Sequence, residues 1–163
     1  MNLFNFLMMK KVILFSILAI ILVSCGGVAK QFVNYTHGEL LPEGKSRIYV
    51  MFKTSKILPM LSLFCNEKLI GTIDRRGYLA FDVPAGAEYT LYATTGEREG
   101  YTWNGTAGDE HFRIKAKEGK TYYIKLSFQM GTFVGKYNFE YLNKTEGEKK
   151  LKKYSQPRLN YAE

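Results

Sequence analysis

The chain has 163 residues and a formal net charge of +8. Its length fits one domain with a tether, not a chain of domains. Only two cysteines are present, so a scaffold stapled by disulfides is ruled out once either of them is spent elsewhere.

The first element is a signal. Lys10 and Lys11 precede an apolar run over residues 12–23, which ends in Leu22-Val23-Ser24-Cys25. The run is short of the ~20 residues that a bilayer-spanning helix needs. It has the layout of a secretory signal with a lipobox. In lipoprotein precursors with this pattern the cysteine sulfur takes a diacylglycerol, the signal is cut before it, and the new amino group is acylated. Residues 1–24 therefore read as a cleaved signal peptide and Cys25 as the lipidated first residue of the mature chain. The apolar stretch 1–8 lies ahead of the lysines, where an n-region should be positive, so Met9 reads as the true start. Several acyl chains hold a protein at a membrane far better than one, since each buried CH₂ contributes ~0.8 kcal/mol. Gly26 and Gly27 follow the cysteine with no Asp at the second position. By analogy with enterobacterial sorting this points to the outer membrane, facing the periplasm.

Residues 25–45 read as the lipidated cysteine and a tether, with Gly26, Gly27, Gly38, Pro42 and Gly44 and no sustained period. From residue 46 short runs rich in Tyr, Phe, Val, Ile and Thr recur between turn signals. The first is 47–52, where Ile48, Val50 and Phe52 alternate with Arg47, Tyr49 and Met51. Runs 60–65 and 69–73 meet through the polar tip Asn66-Glu67-Lys68 as a hairpin. Run 78–83 ends at the turn Pro84-Ala85-Gly86. Run 89–93 alternates again, and a long polar excursion over 94–109 follows. Three more runs, 110–116, 121–128 and 133–142, complete eight. The expectation is an all-β fold, a small antiparallel β-sandwich over residues 46–143. Its core should hold Ile48, Val50, Leu61, Leu63, Leu79, Phe81, Leu91, Ile114, Ile124 and Leu126. Cys65 shares a strand face with Leu61 and Leu63 and reads as a small buried hydrophobe. Residues 144–163 form a basic tail with Lys144, Lys149, Lys150, Lys152, Lys153 and Arg158. Residues 146–154 read as a short helix at the sheet edge or as a frayed end. The tail's charge suits anionic headgroups, or is a solvated face.

The order of strands and turns resembles a known family. It is carried by Arg47-Ile48-Tyr49-Val50, by Phe64-Cys65-Asn66-Glu67-Lys68-Leu69-Ile70-Gly71, by Gly77-Tyr78, by Val83-Pro84-Ala85-Gly86, and by Glu118-Gly119-Lys120-Thr121-Tyr122-Tyr123-Ile124. These motifs are similar to those of the bacterial lipoprotein domain of unknown function 2846, a relative in style of PEGA and carboxypeptidase-regulatory-like sandwiches. The resemblance covers residues 46–153. It implies a small extracytoplasmic β-sandwich and no established reaction. The chain departs from the pattern at Ala85, where a second proline is common, and in the insertion at 94–109.

Chemistry-bearing constellations are sparse. His37 and His111 have no ligand-forming partners at metal spacing. Glu97, Glu99, Asp109 and Glu110 bracket the long loop and read as solvated residues before they read as a glycosidic pair. The loop also holds Tyr101, Trp103 and Asn104, and Trp103 is the only tryptophan. Those three are the candidate ligand contacts, since rings offer much contact area for little entropy. The alternative is that Trp103 covers one end of the sandwich. No catalytic residue, metal or cofactor is expected. The leading reading is a non-enzymatic, membrane-anchored lipoprotein of the cell envelope, an interaction or structural module with an unknown envelope protein or glycan as partner and no nucleic acid. The rivals are a carbohydrate- or peptidoglycan-binding module that uses the 94–109 loop, and a hydrolase acting on the envelope. The lipobox has a direct test: Cys25→Ser should abolish incorporation of labelled palmitate and leave an unlipidated precursor on a gel.

Overall fold

The computed structural model describes residues 29–35, 38–53, 60–95, 111–130 and 135–159. The lipobox residues Leu22, Val23, Ser24 and Cys25, and the loop residues Tyr101, Trp103 and Asn104, lie outside them.

Among the described residues ten strands build two sheets. They are β1 (Ala29–Gln31), β2 (Lys45–Lys53), β3 (Leu61–Cys65), β4 (Lys68–Ile73), β5 (Arg76–Pro84), β6 (Glu88–Thr95), β7 (Phe112–Lys115), β8 (Thr121–Met130), β9 (Gly135–Leu142) and β10 (Arg158–Leu159). One sheet has six strands in the order β10-β1-β4-β3-β6-β7. The other has four, β5-β2-β8-β9. The alternation read from the sequence holds: all ten expected core residues are buried, none more than 3% exposed. They join Phe52, Ile73 and Tyr137 in one cluster between the sheets. The hairpin from β3 to β4 turns on Asn66 and Glu67, at φ 46° and 65°. Two positive φ values are the signature of a type I′ turn, whose twist matches that of the flanking strands.

Three expectations need correcting. The sheets are mixed, not antiparallel. β2 pairs with β5 antiparallel but with β8 in parallel, Ile48 opposite Tyr122 and Phe52 opposite Leu126. Strand alternation is the same in both arrangements, so the sequence pattern is blind to direction. Residues 29–31, read as tether, are a sheet strand: Ala29 lies opposite Ile73 and Gln31 opposite Gly71. At three residues β1 is too short to show a period. Gly71 makes its approach possible, since a Cβ there would collide with the Lys30 carbonyl and the Leu79 side chain. The Gln31 side chain then crosses to the other sheet. Its Oε1 accepts the Ala80 N–H at 3.0 Å. The basic tail is also part of the fold: Arg158–Leu159 pairs in parallel with β1.

At the opposite side, among the described residues, no strand joins the two sheets. Aromatic side chains from β7 and β9 meet there instead. Phe112 stacks on Phe139 at 5.3 Å and tilts against Tyr141 at 4.7 Å, and the Tyr141 hydroxyl donates to the Arg113 carbonyl at 3.3 Å.

The four-stranded sheet is covered on its outer face as well. Tyr35, Tyr49, Met51, Tyr78, Ala80 and Tyr123 form a second buried cluster, with Leu142, Leu151 and Tyr154 packed against it. Its cover is α1 (Lys144–Leu151), the helix expected in the tail. Asn143 caps its start by accepting the Glu146 N–H at 2.9 Å. Glu146 stands in the first turn and Lys149 and Lys150 in the last, as the helix dipole favours. Gly147 is buried in the middle of α1 against the Tyr123 ring. On helix propensity alone Gly147→Ala should stabilise by ~1 kcal/mol. Here a Cβ has no room against Tyr123, and overpacking of that kind costs ~1–3 kcal/mol. Gly147→Ala should therefore lower the urea midpoint, and it should cost less in a Tyr123→Ala background than in the wild type.

Candidate functional site

The strands that bury one set of side chains must turn the alternate set outward. In β3, Leu63 and Cys65 point into the core, so Phe64 points out. In β6, Leu91 and Ala93 point in, so Tyr92 points out. The register sets Phe64 opposite Tyr92 and also opposite Leu69 of β4. His111 precedes Phe112, which faces Leu91, and so falls beside Tyr92. The result is a row on the outer face of the six-stranded sheet: Leu69 of β4, Phe64 of β3, Tyr92 of β6 and then His111, the residue before β7. The first three are half-buried and His111 is exposed.

The geometry of this row limits what it can hold. Phe64 and Tyr92 are parallel, 4.8 Å apart with 2° between planes, and Tyr92 and His111 are 5.6 Å apart at 23°. That first spacing is the distance between neighbouring strands. The rings stand like pages on the sheet, with their faces turned on one another. Their edges, the electropositive part of a ring, are what solvent meets. A sugar stacks on an open ring face, and here the inner faces are taken. The row suits oxygen acceptors and side chains of a protein surface better than it suits a glycan. His111, which the sequence leaves without metal-ligating partners, is exposed at the end of the row. Sequence reasoning did not single out Phe64 or Tyr92. Alternation could mark each as outward, but the stack between them needs the register.

A second polar feature lies on the outer face of the other sheet, and it is architectural. Arg47 is 7% exposed. Its Nε and Nη2 donate to Asp82 at 2.8 and 2.9 Å, and its Nη1 donates to the Glu39 carbonyl at 2.7 Å. The guanidinium lies 5.0 Å over the Tyr35 ring. Tyr35 and Tyr49 share a 2.7 Å hydrogen bond between hydroxyls, and Tyr49 stacks on Tyr123 at 5.4 Å. Three of the five N–H groups of Arg47 are bonded within the chain and its face is covered by Tyr35, so its place here is to fasten the fold.

Cys65 is buried in the main core. Burial pushes its thiol up to about 11. It is a packed hydrophobe and a poor nucleophile, as the sequence suggested. Among the described residues no group of three or more His, Cys, Asp and Glu side chains could hold a metal ion, and no helix is long and apolar enough to cross a membrane. Comparison with family models, with curated proteins and with solved structures finds no match to this chain.

The buried acids give the fold a pH limit. Burial, then the neighbouring Tyr49, pushes Tyr78 up to about 12. Tyr35 is raised further, by burial first and by its bond to Tyr49 second. Burial alone raises Tyr137, whose hydroxyl has no hydrogen-bond partner among the described residues. Each of these groups holds its proton more tightly in the folded chain than in the unfolded one. Stability is then full below the unfolded values and is lost as pH rises through the folded ones. The urea midpoint should be flat up to about pH 8.5, the unfolded thiol value, and fall steadily between about 9 and 12. Cys65 alone accounts for about 3 kcal/mol of that fall. Cys65→Ala should delay its onset to the phenol range, near pH 10.

Proposed function

We propose that this protein is a non-enzymatic lipoprotein of the cell envelope, anchored through Cys25, and that its β-sandwich works as an interaction module. The observation that carries the reading is the outward aromatic row. The inward side chains of β3 and β6 are spent on the core, yet Phe64 and Tyr92 form an ordered stack on the outer face at 4.8 Å. Half-exposed aromatic side chains beside polar neighbours are the composition of protein contact surfaces. The lipobox supplies the anchor and the envelope location in this reading, and the buried, protonated Cys65 fits a fold without a nucleophile.

The test is a comparison of two proteins in their native membrane. Wild type and the Phe64→Ala, Tyr92→Ala double variant are crosslinked in cells and purified through a C-terminal tag, and their partners are quantified by mass spectrometry. A partner enriched on wild type should drop at least ~10-fold on the variant, as expected for loss of an aromatic anchor. Circular dichroism and palmitate labelling should be unchanged. Equal enrichment on both proteins would place the contact elsewhere. A soluble peptidoglycan fragment that quenches Trp103 fluorescence equally in both would favour the glycan-binding alternative.

A further inference from the structure

The end of the sandwich where the chain enters carries a cluster of positive charge that no local sequence run reveals. Ala29 starts β1 opposite Ile73 and lies against Gly77, where a Cβ would come within 2.9 Å of the Ala29 Cβ. Ile73 and Arg76 flank the turn Asp74-Arg75 between β4 and β5. Lys53, the last residue of β2, is directly opposite Arg76. From the other side comes the end of α1. Arg76 stacks over Tyr154 at 4.9 Å, and its Nη2 donates to the Lys153 carbonyl. Lys53, Arg75, Arg76, Lys152 and Lys153, drawn from three distant parts of the sequence, so share one end of the molecule. All are exposed. Among the described residues the carboxylate beside them is Asp74, 3.6 Å from Arg75 Nε.

Arg76 ties β5 to the end of α1, yet part of this arrangement works against the fold. Like charges directly opposite in a sheet destabilise it, and Lys53 and Arg76 are such a pair. Arg75 has φ 60°, a left-handed backbone that an L side chain adopts at a cost. A surface that keeps repelling charges in this setting has a use for them outside the fold.

The length of chain between Ala29 and Cys25 says what lies there. Four residues at full extension reach about 14 Å. With residues 29–31 in the sheet and not in a tether, the anchor cannot hold the domain far from the bilayer. The end that bears Ala29 is the end nearest the lipid.

We propose that the face formed by Lys53, Arg75, Arg76, Lys152 and Lys153 docks on the anionic headgroups of the membrane that holds the Cys25 lipid. This rests on the lipoprotein reading above and adds a fixed pose to it. Each basic residue near an anionic surface strengthens binding roughly fivefold, and salt weakens it. The anchor supplies attachment and the charged face sets orientation, so the sandwich stands upright with the Lys45 end of β2 roughly 30 Å farther out.

The experiment uses the full lipidated chain in vesicles. Cys65 is buried, so a cysteine placed on the surface is the reactive thiol. A dye is attached at Asp74→Cys or, at the far end, at Lys117→Cys, and a quencher is carried on the lipid headgroups. In phosphatidylglycerol-rich vesicles, residue 74 should be quenched several-fold more than residue 117. In Lys53→Glu, Lys152→Glu protein the contrast should shrink, as it should in phosphatidylcholine or at 0.5 M salt. Equal quenching at the two positions overturns the proposal. So does a contrast that survives charge reversal, since the tether alone would then set the pose. Failure of the chain to enter phosphatidylcholine vesicles at all removes the anchor, and this proposal with it.

Discussion

An arginine inside a protein must have its charge neutralised and its N–H groups bonded, because a buried ion stripped of its partner costs ~3–5 kcal/mol. Arg47 meets that demand with three separate parts of the chain: Asp82 across the sheet, the Glu39 carbonyl before β2, and the face of Tyr35. The stretch ahead of β2 is thereby drawn over the outer face of the four-stranded sheet. Tyr35 then reaches Tyr49, Tyr49 covers Tyr123, and Tyr123 receives α1 at Gly147. A sandwich needs one buried face per sheet. This one buries two on its smaller sheet, and Arg47 is the point where the second layer is fastened.

That second layer explains how the chain's two ends become part of one body. β1 comes from the N-terminal side, α1 and β10 from the C-terminal side, and they meet around β5. Gln31 satisfies the Ala80 N–H on the free edge of β5, and β10 pairs with β1. An unpaired sheet edge invites other chains. Here a glutamine side chain takes up one N–H of that edge.

Some of this was legible in the residues. Ile48, Val50 and Phe52 alternate with Arg47, Tyr49 and Met51, and period-two alternation fixes which side chains share a face. The inner core followed from that, as did the Asn66-Glu67 turn and the burial of Cys65. Alternation says nothing of which strand lies alongside or in which direction. The parallel neighbour of β2 was therefore hidden, and with it the stack of Tyr49 on Tyr123. The outer row failed for the same reason, since Phe64 and Tyr92 are 28 positions apart and only register joins them. β1 and β10 were beyond reach at three and two residues, shorter than any repeat that could announce them. Arg75 and Arg76 lie far in sequence from Lys152 and Lys153, and only the packing of the turn after β4 against the end of α1 joins them.

The parallel pairing of β2 with β8 also constrains how the molecule comes into being. β2 can form a hairpin-like ladder with β5 early, because both emerge within the same forty residues. Its other edge has no partner until residues 121–126 arrive, and a parallel pair of this kind cannot be closed by a tight turn. Contacts between distant stretches are slow to form, since the loop must be ordered before it is rewarded. A chain made from its N-terminus holds Ile48 to Phe52 half-paired and apolar until residues 121–126 arrive. Completion of the four-stranded sheet is thus a late event that waits on the last third of the polypeptide, and a chain cut short before β8 would carry an open, aggregation-prone strand edge in place of a core.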